Sequence, residues 1–146
     1  MLNVDDCRDP IPGNTHVCEH HKKSFELVRP QKNLQVFYLN LDQCQELANT
    51  ERCDCVYEVE RSYQIFTAIY VELKGRDFEK GIRQLISTIE IFGERHHSSQ
   101  KQAFFIGKRI PRVDTRIQKM KIMFLKKYHT KFFPKTNKLT YTINLD

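Results

Sequence analysis

Three residues stand out by type and spacing: Glu72 and Lys74, within Val71-Glu72-Leu73-Lys74-Gly75, and Asp54, within Cys53-Asp54-Cys55. The single residue between Glu72 and Lys74 puts both side chains on the same face of a strand. Phe66, Ala68 and Tyr70 precede them on that face and read as buried. Charges at the end of a buried strand need partners or a task. Two carboxylates and a main-chain carbonyl, here that of Leu73, are the oxygen ligands Mg²⁺ takes. A metal held in this way activates water and neutralises charge on a scissile phosphate. Lys74 would orient the water and stabilise developing negative charge. The expected chemistry is phosphodiester hydrolysis.

Positioning these residues requires particular elements. Residues 35–41 alternate and are rich in aromatic and branched side chains, which predicts a strand. Residues 53–60 alternate strictly and predict a second, and 61–64 make the turn. Residues 65–74 are apolar on both faces, as a central strand should be. If the second and third strands form a hairpin, Asp54 is about as far before the turn as Glu72 and Lys74 are after it, and the three converge at one sheet edge. Gly75 lets the chain turn sharply. A helix over 77–94 follows, with Phe78, Ile82, Leu85, Ile86 and Ile89 as its core stripe. Residues 101–110 predict another strand, and Pro111 interrupts. Asp114 or Thr115 can cap a second helix running to about His129. Ile117, Met120, Phe124 and Tyr128 line its apolar side, with Arg116, Lys119, Lys126 and Lys127 opposite. Residues 138–145 close the chain as a strand. The stretch 1–24 reads as irregular because Pro10, Pro12 and Gly13 break structure. A short helix is expected at 24–29 and a loop at 42–52.

A chain of 146 residues predicts one domain with a real core. No apolar run reaches membrane-spanning length, and residues 1–6 are acidic and lack the regions of a signal peptide. A cytoplasmic address is the resulting expectation. The five cysteines, Cys7, Cys18, Cys44, Cys53 and Cys55, are odd in number. Free thiols or metal ligation are therefore expected over a disulfide framework. The net charge is +6, but residues 108–138 hold eleven Lys or Arg against Asp114, making that block +10 and the rest −4. Such a block suggests an anionic partner, nucleic acid before others. A solvated helix face explains the same charges.

Asp54, the Val71–Gly75 run and Gln84, within Gly81-Ile82-Arg83-Gln84-Leu85, together resemble the PD-(D/E)xK nuclease superfamily. The resemblance covers residues 35–110, with the basic helix and final strand (111–146) as an extension. It implies an α/β (α+β) fold of restriction-endonuclease-like type. That core has αβββαβ order, a mixed central sheet flanked by helices, and here an extra C-terminal helix and strand. It implies a single nuclease-like domain over 1–146, hydrolysing nucleic acid with Mg²⁺ or Mn²⁺, DNA favoured. Asp54, Glu72 and the Leu73 carbonyl would bind the metal, Lys74 would assist catalysis, and Gln84 would support the site. An acidic residue on a helix before the first strand is also common in the superfamily, and Glu26, then Glu19, are the candidates. Lys108, Arg109, Arg112, Arg116, Lys119, Lys126 and Lys127 would bind the nucleic acid. Many such nucleases form homodimers to cut both strands, so a homodimer is among the expectations. No Pro precedes Asp54, and the helix before the first strand is poorly marked.

Other signals carry less. Cys7, His16, Cys18 and His20 could hold a structural Zn²⁺, but no Cys-x-x-Cys pair accompanies them. Cys53 and Cys55 read as small core residues. Glu58 and Glu60 share the strand face of Asp54 and read as exposed hairpin acids. His96 and His97 read as a loop after the helix. Two further functional readings stand beside the nuclease: a nucleic-acid-binding module on the same fold that cuts nothing, and a small structural or adaptor protein.

Overall fold

A computed structural model of the protein describes residues 1–31, 33–74, 76–110 and 115–144. The expected roles of Gly75, Pro111, Arg112 and Asp114 fall outside these residues.

The stretch that carries the candidate residues folds in the order its periodicity predicts. Strands β4 (Gln35–Leu39), β5 (Cys55–Arg61) and β6 (Gln64–Lys74) form an antiparallel meander. Helix α1 (Phe78–Ile91) then carries the chain to β7 (Gln100–Gly107), which lies parallel to β6. Helix α2 (Thr115–Tyr128) makes a second crossover to β8 (Thr130–Thr136), parallel to β7. Parallel crossovers are right-handed, so two successive steps in one direction put both helices on one face. With β1 (Arg8–Pro10) beside β4, the sheet has six strands in the order β1-β4-β5-β6-β7-β8. A three-stranded sheet of β2 (Thr15–His20), β3 (Lys23–Val28) and β9 (Lys138–Thr142) covers the other face. The molecule is thus mixed α+β in three layers. Among the described residues no helix is long and apolar enough to cross a membrane.

Alternation along β6 sorts its side chains between two cores. Ala68 and Tyr70 pack on the helical side with Leu85, Ile89, Phe105 and Phe124. Ile69, Val71 and Leu73 pack on the small-sheet side with Phe25, Leu27, Tyr57 and Phe104. Asp77 caps α1 by accepting from the Lys80 amide at 2.9 Å. Gly81 lets α1 approach the sheet closely, since a Cβ there would run into the Phe105 ring and lie 3.3 Å from Glu72 Cγ.

Several expectations are corrected. Residues 8–10 and 15–20 are strands, not irregular. Residues 23–28 form β3 rather than a helix, because Phe25 and Leu27 alternate into the core. The superfamily's leading helix is therefore not at residues 24–29. Strand β8 went unpredicted because Pro134 interrupts it; as an edge strand it tolerates the missing N–H. The cysteines are also reassigned: Cys7 pairs with Cys44 and Cys18 with Cys55, leaving Cys53 free and buried. Four of the five expected free thiols are thus in disulfides, which form and persist in oxidising surroundings. Cys7 and Cys18 are consumed in these bonds, and His16 Nδ1 bonds the Tyr57 hydroxyl at 2.6 Å, so the Zn²⁺ set Cys7/His16/Cys18/His20 is not assembled.

Candidate metal centre

The hairpin brings Asp54 to Glu72. Cys55 pairs with Val71, so the next rung sets Asp54 opposite Glu72. The Asp54 amide donates to the Val71 carbonyl at 3.1 Å, and Asp54 Oδ2 accepts from the Leu73 amide at 2.7 Å. Both ends of the residue are thereby fixed to β6. Behind it, Thr88 of α1 accepts from the Cys53 amide at 2.7 Å and donates to the Gln84 carbonyl at 2.8 Å. The Cys53 bond ties the helix to the residues that lead into β5.

Glu72 is 1% exposed, and neither carboxyl oxygen has a hydrogen-bond partner among the described residues. Its nearest cation is Lys74 Nζ, 3.6 Å from Oε2, with a quarter of the Lys74 side chain exposed. Burial, and then the neighbouring Asp54 charge, push the Glu72 carboxyl up to about 9. Burial also raises Asp54, against the Leu73 amide bond that favours its ionised form. Gln84 is half-buried, and its Oε1 also lacks a partner among the described residues. It shares a cleft with Asp54, Cys53 and Arg52. Buried acceptors are normally satisfied by donors. Here Glu72 and Gln84 bring buried oxygens without donors and Asp54 adds a second carboxylate, hard oxygens of the kind Mg²⁺ or Mn²⁺ takes. The residues present fit the metal.

The other candidates divide. Glu26 lies on the outer face of the small sheet, where Thr140 Oγ1 donates to it at 3.2 Å. The six-stranded sheet separates it from Asp54 and Glu72, so it is not a fourth acid. Glu19 alternates with buried Cys18 and points outward as well. Glu58 is fully buried rather than exposed. It binds Arg8 Nε at 2.7 Å, Arg95 Nε and Nη2 at 2.7 and 2.9 Å, and His96 Nε2 at 2.5 Å. Burial opposes its ionisation, but these donors hold it well below the usual carboxylate range. Glu60, with its side chain largely covered, takes Arg8 Nη2 at 2.5 Å. His96 lies in the turn after α1, as expected, but it is buried rather than solvated, with Nδ1 at 2.6 Å from the Tyr70 hydroxyl. Burial lowers its pKa. Sequence spacing gives no sign of this network, since Arg8 comes from a strand of only three residues.

The basic residues also divide. Lys108 and Arg109 follow β7 directly, whose Gly107 pairs with Lys74, and with Arg76 they line one concavity. Arg76 was not among the residues expected to bind nucleic acid, though its place two residues after Lys74 could have suggested it. On α2, the Thr115 end lies toward this edge. Lys126 and Lys127 lie near Thr130, which pairs with Lys101 at the far end of the sheet. From Arg116 to Lys126 a helix rises about 15 Å. Arg116 bridges to Glu79 and lies over the Phe78 ring at 5.6 Å, tying α2 to α1. Lys119 is exposed beside it.

Comparison with protein families, with curated proteins and with solved structures returns no match to this chain.

Proposed function

We propose that this protein is a metal-dependent nuclease of the PD-(D/E)xK type, acting on nucleic acid with DNA as the favoured substrate. One observation carries the reading: buried acceptor oxygens of Glu72 and Gln84, without donors among the described residues, stand with Asp54 at a strand end beside Lys74, Arg76, Lys108 and Arg109. The meander β4-β5-β6, the crossover α1 and the parallel strand β7 are the elements such a site uses, and they support the reading.

Asp54, Glu72 and the Leu73 carbonyl would hold Mg²⁺ or Mn²⁺, and Gln84 would complete the polar surround. A divalent cation there supplies a water of lowered pKa and charge neutralisation at the phosphate. The rest falls to the chain. Asp54, fixed by the Leu73 amide, keeps its carboxylate aimed at the strand end. Lys74, partly exposed and adjacent to Glu72, orients the attacking water and offsets charge on the phosphate. Arg76, Lys108 and Arg109 attract the backbone of the strand to be cut.

The test is cleavage of labelled duplex DNA, single-stranded DNA and RNA with Mg²⁺ or Mn²⁺. Cutting that stops with chelator and returns with metal is expected, and Ca²⁺ should bind while supporting little cutting. Cutting that ignores chelator would refute the proposal.

A further inference from the structure

His16, Cys18 and His20 alternate along β2, so all three face the six-stranded sheet. Two of them make rungs to β5: His16 Nδ1 meets the Tyr57 hydroxyl at 2.6 Å, and Cys18 is bonded to Cys55. Numbers rise along β2 as they fall along β5. Extending that spacing by two residues puts His20 level with Cys53, just ahead of β5 and next to Asp54 in the chain. The hairpin reverses there through His21 and Lys22, with φ of 50° and 63°, the left-handed pair of a two-residue turn. His20 is thus the last residue of β2 on that face. It is exposed, with its ring 3.9 Å from that of His21. The same end of the small sheet is tied to β7 and β9. The Ser24 amide donates to the Asn137 carbonyl, and the Asn137 amide to the Gly107 carbonyl, at 3.2 and 2.9 Å. Exposed Lys22 and Lys138 flank these bonds.

We propose that His20 is a further substrate-contacting residue of this site: the β2–β3 hairpin forms its second wall, and the His20 imidazole donates a hydrogen bond to a phosphate oxygen of the bound strand on the side away from α1. The inference rests on the nuclease reading above. The Cys18–Cys55 bond, two residues from His20 and one from Asp54, holds donor and acid in one frame. Lys22 at the tip adds positive charge where the strand would leave the acids.

The test uses the full oxidised chain and a labelled DNA duplex. Binding is measured with Ca²⁺ and cleavage with Mg²⁺. His20→Ala should slow cleavage by about tenfold to a hundredfold, the worth of one hydrogen bond to a charged group. His20→Asn, which keeps a donor, should recover part of the rate. His97→Ala, an exposed histidine near the β5–β6 turn at the other end of the sheet, should behave as wild type. The double variant Cys18→Ser/Cys55→Ser should lose activity by a similar factor, and adding His20→Ala should cost little more, because coupled residues are not additive. If the serine variant fails to melt cooperatively, the His20 variants decide alone. Wild-type cutting with an undiminished His20→Ala sinks this inference and leaves the nuclease reading standing. A wild-type chain that neither binds nor cuts with any of these metals sinks both.

Discussion

At the scale of single residues, Glu72 carries two opposed demands. As a buried carboxyl raised to about 9, it keeps its proton in the folded protein while an unfolded chain gives it up near the ordinary value of 4.5. Between those values the folded state binds more protons, so this group makes stability fall as pH rises, by up to about 1.4 kcal/mol per pH unit. Glu72→Gln removes the titration. Its melting temperature should exceed that of wild type by a margin that widens from pH 5 to pH 8, and Mg²⁺ should raise the wild-type value alone. Parallel pH profiles for the two proteins would refute this account. Lys74 makes the complementary case. It sits at a strand end with its head partly in water, so Lys74→Ala creates little cavity. Cleavage should be abolished while melting and most DNA affinity are retained, and gel shift beside a nicking assay separates these outcomes.

At the scale of elements, the β5–β6 hairpin brings the acids together and the junction with α1 adds Gln84 to their cleft. Gly81 sits where the helix touches Phe105 and Glu72. A methyl group there must push the helix off the sheet, so Gly81→Ala should cost about 1–3 kcal/mol by chemical denaturation. It should also disturb the site more than its distance from solvent suggests. The far end of the same junction is held by Glu58, which joins β5 to β1 through Arg8 and to the end of α1 through Arg95 and His96. Its lowered pKa means this support is complete above the carboxylate range and is lost as acid protonates it. Glu58→Gln leaves buried cations without their counter-charge, which should cost about 3–5 kcal/mol. Equilibrium unfolding in urea at pH 7 measures it, and a loss under 1 kcal/mol would show that water or other groups replace the carboxylate.

At the scale of the whole molecule, charge and covalent staples shape what the site can reach. The cations divide between the two ends of the sheet, so they should not contribute equally to nucleic-acid affinity. Removing Lys108 and Arg109 together should weaken DNA binding and flatten its salt dependence by about one unit for each phosphate charge no longer neutralised. Removing Lys126 and Lys127 should leave the slope close to wild type. Equal effects would mean that the duplex lies along α2 instead of across the strand ends. Each disulfide spans 37 residues. Loop entropy then gives each bridge about 4 kcal/mol, worth on the order of 10 °C in melting temperature. Scanning calorimetry with and without a dithiol reads this directly.

The sequence by itself determined the local elements and one juxtaposition. Alternation in β5 and β6, the apolar stripe of α1 and the equal spacing of Asp54 and Glu72 about a tight turn are short-range patterns. They bring the two acids together because a hairpin preserves register. The same logic missed β2, where only Cys18 is buried, and β8, where Pro134 masks a tolerant edge position. Tertiary structure decided everything that depends on long separations. It buried Glu58 among Arg8, Arg95 and His96, and joined Cys7 to Cys44 and Cys18 to Cys55. It put Glu26 behind the sheet and carried Lys126 to the end opposite Asp54. The physical reason is that periodicity fixes which face a side chain takes within its own element, whereas its neighbours across the molecule are chosen by how the elements pack.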